Sequence, residues 1–190
     1  MKYTFEMRGR YIQGPGAIDE LGKQTSPLGK RALAIGGRTA LSLTVAAMSK
    51  SLDPYDIKLT PAHFSGQNTE EETARLTMIA DDSKNDVVIG VGGGQALDTS
   101  KAIAHGIGVP LVQIPTLAST DAPCAGNPDL ILVDTSIIVK SPPRLTVAGM
   151  GDALATPFEA KACIDSDSPN FRDGRATGMA FAAARLVYEI

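Results

Sequence analysis

The run from Val87 to Lys101, VVIGVGGGQALDTSK, passes from apolar β-branched residues through three consecutive glycines into a polar, helix-forming stretch that carries Asp98 on its first turns. A strand feeding a helix through a turn without side chains leaves bare backbone N–H groups and the positive helix end aimed at one spot, an arrangement that can cradle a pyrophosphate. The turn points to a nucleotide-type ligand. Its spelling is not the usual dinucleotide fingerprint, because Gln95 stands where the third glycine would be, and no Gly-Lys-Ser/Thr closes it. The same glycines also suit a plain strand-to-helix turn in any α/β protein.

A second segment, Ile114-Pro115-Thr116-Leu117-Ala118-Ser119-Thr120-Asp121-Ala122-Pro123, supplies three hydroxyls and one carboxylate between Thr116 and Asp121. That set suits hydrogen bonding to a ribose, an amide or a polyol. It also suits a local turn or helix cap, which Ser, Thr and Asp favour for reasons of their own.

The elements that must position these residues alternate along the chain. Short apolar runs between Lys2 and Gln13 end at Gly14-Pro15-Gly16, and Ala17 to Gly22 reads as a short helix. Arg31 to Ile35 is a buried-type strand. From Arg38 to Leu52, Leu41, Val45, Met48 and Leu52 recur at helical spacing, and Asp53-Pro54 ends the run. Ile57 to Phe64 reads as a strand. Thr69 followed by Glu72 is a capping-box signature for a helix to about Asp82, with Glu70, Glu71 and Glu72 suited to its N-terminal dipole. Then follow a strand at 86–91, a helix at 95–106, a strand at 110–114 and one more at 129–134. This alternation predicts an α/β fold, a parallel Rossmann-like sheet with helices on both faces, in which ligands lie beyond the carboxyl ends of the strands. Gly92–Gly94 and Pro115–Asp121 both fall there. From Pro142 the chain turns helical, over 144–150, on through Lys161, and again over 171–190. Pro142-Pro143 marks a boundary between an α/β domain, 1–141, and the start of a helical domain, 142–190. The final run, Leu186-Val187-Tyr188-Glu189-Ile190, has no cap or polar tail, and a chain cut short is the expectation.

Composition narrows the function classes. With 18 Lys and Arg against 21 Asp and Glu, a net charge of −3 and no basic block, the chain offers no footprint for nucleic acid. It has no 18-residue apolar stretch and no apolar leader after Met1, so no membrane partner is expected and a soluble, cytoplasmic protein is. Cys124 and Cys163 lack C-x-x-C spacing and histidine neighbours, and read as reduced thiols.

Five blocks in order carry a resemblance: Gly92-Gly93-Gly94-x-x-x-Asp98-x-x-Lys101; Pro115-Thr116-x-x-Ser119-Thr120-Asp121-Ala122-Pro123; Asn127-Pro128-Asp129-x-x-x-Val133-Asp134-Thr135; Pro143-Arg144-Leu145; and Gly151-Asp152-Ala153-Leu154-Ala155-Thr156-x-x-Glu159-Ala160. Together they resemble the glycerol dehydrogenases of the metal-dependent, iron-containing-type alcohol dehydrogenase superfamily, over about the first half of a typical member. The resemblance implies NAD-dependent oxidation of glycerol to dihydroxyacetone, with glycerol or a small polyol as the partner, and a homo-oligomer for the full-length family. It places the pyrophosphate on Gly93, Gly94 and Gln95 with Asp98 just inside the helix, the rest of the cofactor on Thr116 and Ser119, the polyol on Asp121, and zinc on Asp152. Zinc on a substrate hydroxyl would lower its pKa, so that an alkoxide can form and expel hydride to nicotinamide.

The departures from that pattern weigh as much. The family completes its zinc site with histidines of its second half, whereas His63 and His105, the two histidines here, match none of those positions. Between Cys124 and Asn127 the family carries a β-hairpin that helps cover the cofactor; here Ala125-Gly126 joins the flanks directly. Gln95 replaces a common lysine, and Gly37 stands where an Asp often binds the adenosine ribose. A non-catalytic or vestigial nucleotide-binding domain is therefore the alternative expectation, with another polyol or alcohol dehydrogenase of the superfamily as a nearer one. A carboxylate at Asp121 suits a neutral polyol and would repel a phosphate ester.

Overall fold

The computed structural model describes residues 9–165. The chain divides into two compact units, 1–141 and 142–190. In the first, β1 (Arg10–Gly14), β2 (Arg31–Gly36), β3 (Lys58–His63), β4 (Val87–Gly92), β5 (Leu111–Pro115) and β6 (Leu130–Asp134) form one sheet in the order β1-β6-β5-β4-β2-β3. Every pairing is parallel. Between the strands run α1 (Leu21–Thr25), α2 (Arg38–Leu52), α3 (Glu70–Asp82) and α4 (Gly94–Ile107), with the short α5 (Thr135–Ile138) after β6.

The two faces of the sheet are filled separately. Ala32 and Ala34 of β2 and Val87, Ile89 and Val91 of β4 pack with Leu21 of α1 and Met48 and Leu52 of α2. Leu33, Ile35 and Val88 turn the other way, onto Leu76 and Ala80 of α3 and Ile103 and Ala104 of α4. Strands covered on both sides read as unbroken apolar runs, and β4, β5 and β6 are buried along their whole length for that reason. The α/β parallel sheet with helices on both faces is thus as expected. The expected Ala17–Gly22 helix is a 3₁₀ turn, Ala17–Glu20, leading into α1.

One local expectation is corrected. Thr69 does cap α3, its Oγ1 accepting from the Glu72 N–H at 3.2 Å. The Glu72 carboxylate, however, does not turn back to Thr69. It accepts from the Ser65 N–H at 2.7 Å and from Arg75 Nε and Nη2 at 2.8 Å each, while Arg75 Nη2 also reaches the His63 carbonyl. A cation one turn along the helix outcompetes a neutral N–H for a buried carboxylate. The result is a clamp holding the end of β3 to α3.

Hydrogen bonds from Arg75, above all, hold the Glu72 carboxyl at about 2, against an ordinary 4.5. Because the folded value lies below the unfolded one, this stabilisation is complete above the unfolded value and is lost as pH falls toward 2. Glu72→Gln is expected to cost about 1–3 kcal/mol near neutrality, with Arg75 half exposed and partly screened. Urea unfolding from pH 7 to pH 2 should show the variant and the parent converging in acid; a constant gap would contradict the clamp.

At the other edge, Asp134 ends β6 almost fully buried and accepts N–H groups of Gly16 and Ile18 at 3.1 Å each and of Ser136 at 2.9 Å. Burial pushes its carboxyl up, but bonds from Ser136, Ile18 and Gly16 more than offset this and leave it below the usual range. It thereby locks the turn after β1 onto β6.

The second unit is described through α6 (Pro143–Asp165). The helical run expected over 144–161 is one helix, which passes through Gly151 and Pro157. Val147, Met150, Leu154 and Phe158 stand exposed on it at helical spacing. Among the described residues no helix is long and apolar enough to cross a membrane. The runs expected over 2–8 and 171–190 lie outside the described residues.

Candidate functional site

Strand order sets where a ligand can lie. From β2 the chain crosses to β3 at the sheet edge, whereas from β4 it crosses the opposite way to β5 and β6, so the connections diverge between β2 and β4. A crevice opens beyond the carboxyl ends of strands at such a point. The register aligns those ends, with Gly36 opposite Val91 and Gly92 opposite Pro115. Glycines therefore follow both strands that flank the crevice.

The glycine turn has a distinct task at each residue. Gly92 has φ +140°, which side chains disfavour. Gly93 is the N-cap of α4, extended and without a capping side chain, and no acidic residue occupies the first turn of this 14-residue helix. Its free N–H groups and positive end are left for an anion. A Cβ on Gly93 would stand 3.3 Å from Leu117 Cδ2, and one on Gly94 would stand 3.3 Å from Thr120 Cγ2. The turn and the hydroxyl-rich loop are thus in contact, as their positions after neighbouring strands β4 and β5 require.

Within that loop the hydroxyls divide their work. The Thr116 N–H continues the ladder to the Gly92 carbonyl at 3.0 Å, and Thr116 is buried against the turn. Thr120 Oγ1 takes the local role, accepting from the Ala122 N–H at 3.3 Å. Ser119 is half-buried, and its hydroxyl has no protein partner among the described residues. Asp121 precedes the 3₁₀ turn Ala122–Cys124 but makes no capping bond with its side chain, and it is exposed. Its carboxylate is available to a ligand. Gln95 is exposed at the start of α4.

Asp98 is committed differently. Its Oδ1 accepts from Lys101 Nζ at 3.0 Å, and the same ammonium donates to the Ala122 carbonyl at 3.3 Å. The Lys101 stem lies under Gly126, where a Cβ would come within 2.7 Å of Cδ. Gly126 and Asn127, at φ +80° and +50°, close the short join to β6. Lys101 thereby ties the helix behind the glycine turn to the loop that carries Asp121. In the sequence Lys101 stands out only as a position of the Gly92–Lys101 block, at i, i+3 from Asp98, and its tie to Ala122 is tertiary.

The metal side is different. Asp152 lies on α6 in the other unit and is exposed. Among the described residues no group of three or more His, Cys, Asp or Glu could hold a metal ion. His63 and His105 are exposed, and Cys124 is a free exposed thiol. A cleft of about 590 Å³ lined by Thr69, Glu70, Thr73, Ala74, Thr77 and Ala102 opens beside α3. Ala102 puts it roughly 12 Å along α4 from the glycine turn, apart from these groups.

Comparison with known proteins follows the same pattern. The iron-containing alcohol dehydrogenase family matches residues 9–135. The glycerol dehydrogenase of Escherichia coli O6:H1 is 39% identical over 207 positions, covering 99% of this chain and 56% of its own length. That of Thermotoga maritima is 39% identical over 210 positions, covering 95% and 54%. A solved structure of a probable glycerol dehydrogenase from Sinorhizobium meliloti 1021 superposes with a TM-score of 0.81 at 34% identity, over 94% of this chain and 54% of that one. The chain spans about half the length of the curated relatives it matches. The 207 aligned positions exceed its 190 residues, so the relative carries residues that have no counterpart here.

Proposed function

The chain belongs to the iron-containing alcohol dehydrogenase family, and from that premise we propose that it is the dinucleotide-binding part of a polyol dehydrogenase acting on glycerol. The observation that carries this reading is the contact of an uncapped, glycine-only helix start with a hydroxyl-rich loop ending in a free carboxylate, at the divergence point of a parallel sheet. Backbone N–H groups of Gly93, Gly94 and Gln95 hold the pyrophosphate of a nicotinamide dinucleotide, NAD being the form the resemblance implies. Thr116 and Ser119 flank the nicotinamide half. Asp121 accepts from polyol hydroxyls, and Lys101 with Asp98 holds that loop to α4. When bound, the dinucleotide would supply the acceptor for a hydride from the carbinol carbon, the hydroxyl proton passing to solvent, which would oxidise glycerol to dihydroxyacetone.

The zinc that the resemblance implies does not fit the described residues. Asp152 is a sound ligand type, but one carboxylate does not make a zinc site. Binding a dinucleotide and orienting a polyol are the tasks these residues support. That supports the second reading as well, a nucleotide-binding unit without turnover of its own.

Calorimetric titration of the 190-residue chain with NAD, followed by glycerol-dependent NADH formation on the same sample with and without added zinc, tests both. Saturable binding is the expected result, and no binding at millimolar NAD or NADP overturns the proposal. Turnover assigns the whole reaction to this chain; binding alone assigns it the cofactor half.

A further inference from the structure

We propose that Gln113 is a positioning residue for the pyrophosphate: from inside the sheet it holds and polarises the first turns of α4, whose free N–H groups receive the ligand. The inference rests on the dinucleotide reading above. Strand β5 reads Leu111-Val112-Gln113-Ile114-Pro115 and is buried along its length, so Gln113 is the one polar side chain in a strand otherwise suited to apolar packing. It is fully buried and lies beside Gly90 of β4, on the side that α4 covers. Because Gly90 carries no side chain, α4 comes close enough for the Gln113 amide to reach the helix backbone.

The Nε2 of Gln113 donates to the Leu97 carbonyl at 3.2 Å, and the Ser100 hydroxyl donates to the same carbonyl at 2.8 Å. Both add to the helical bond that this carbonyl takes from the Lys101 N–H. Folding alone does not call for the arrangement. The Leu97 carbonyl is satisfied without Gln113, and the other end of the amide, Oε1, is buried with no hydrogen-bond partner among the described residues, which weakens a fold. What the extra donors reach is the helix start. The Asp98 N–H shares a peptide unit with the Leu97 carbonyl and, in α-helical bonding, donates to the Gly94 carbonyl. The N–H of that next peptide unit belongs to Gln95, one of the free donors at the helix start. Donors gathered on the Leu97 carbonyl therefore stand at the tail of a column of two peptide units whose head meets the anion. Hydrogen bonds in such a chain polarise one another, by about 10–30% per bond. The same contact fixes how far the helix end projects beyond β4 and β5, and N–H···O bonds hold only over a narrow range of distance.

The test titrates the 190-residue chain with NAD and with ADP-ribose, which keeps the pyrophosphate and lacks nicotinamide. It compares the parent with Gln113→Met and Ser100→Ala and records each thermal midpoint. Methionine fills a similar volume without the donor or the orphaned acceptor. Gln113→Met is expected to melt at or above the parent's midpoint and to bind both ligands about three- to tenfold more weakly, the share of one hydrogen bond. Ser100→Ala, which removes the other side-chain donor to the Leu97 carbonyl, should weaken both ligands in the same sense. A purely structural amide would lower affinity and midpoint together; that result, or a Gln113→Met chain that does not fold, overturns the inference. Unchanged affinities, or a loss confined to NAD, also overturn it, and each of these outcomes leaves the dinucleotide reading standing. Failure of the parent to bind either ligand overturns the dinucleotide reading, and this inference falls with it.

Discussion

With valine in place of Gly93, the chain is expected to keep its fold and weaken its dinucleotide binding at least a hundredfold, about 3 kcal/mol. The fold survives for two reasons. The backbone at Gly93 is extended at φ −96°, ψ −179°, a conformation open to β-branched residues. The nearest neighbours of an added Cβ are the terminal methyls of Leu117, the far end of a flexible side chain. The ligand has no such freedom. A pyrophosphate held by N–H groups must approach the backbone to hydrogen-bond distance, and isopropyl methyls would occupy that space. Calorimetry reads the affinity and circular dichroism the fold; an unchanged affinity with an intact fold would remove the pyrophosphate from this turn.

A second glycine, three residues earlier, has the opposite character. Gly90 pairs with Gln113 in the sheet and faces α4, where a Cβ would stand 2.1 Å from Ser100 Oγ and 3.0 Å from Gln113 Oε1. Helix α4 packs this close to β4 because nothing projects from that position. Gly90→Val is expected to destabilise the unit by about 3 kcal/mol or more, through overpacking of a buried interface. The thermal midpoint should fall by about 6–12 °C. Ser100→Gly added to the same variant should recover part of the loss, since it removes the atom first met. A melt unchanged by Gly90→Val would mean that α4 can retreat from the sheet, and a pyrophosphate site at its N-terminus would then lack a rigid support.

The elements that were legible in the sequence are those fixed by local pattern. Helix α2 occupies Arg38–Leu52 as its apolar spacing requires, and β4 and β5 stand within a residue of their expected ends. Their adjacency in the sheet is what brings the glycine turn to the hydroxyl loop. What the sequence concealed was set by partners distant along the chain. Glu72 has the spacing of a capping box, yet its carboxylate goes to Arg75 and Ser65. Lys101 looks like a solvated helix residue until the 122–126 turn is seen folded back on it. The helical run expected over 144–161 is continuous in α6, which passes through Gly151 and Pro157. The chemical type of Asp152 could be read from its motif, whereas a metal site depends on donors converging from several elements, which spacing in one segment does not show.

The pairing of β1 with β6 governs how the protein can be made. Arg10 lies opposite Leu130, so the first strand leaves the ribosome 120 residues ahead of the strand it must join. At roughly 5–20 residues per second, that is about 6–24 s during which Arg10–Gly14 has no neighbour in the sheet. The turn at Gly16 and Ile18 waits equally long for the carboxylate of Asp134. In chain order the sheet therefore grows from its β2–β3 edge through β4 and β5 to β6, and β1, the earliest of the described strands, is the last to be incorporated.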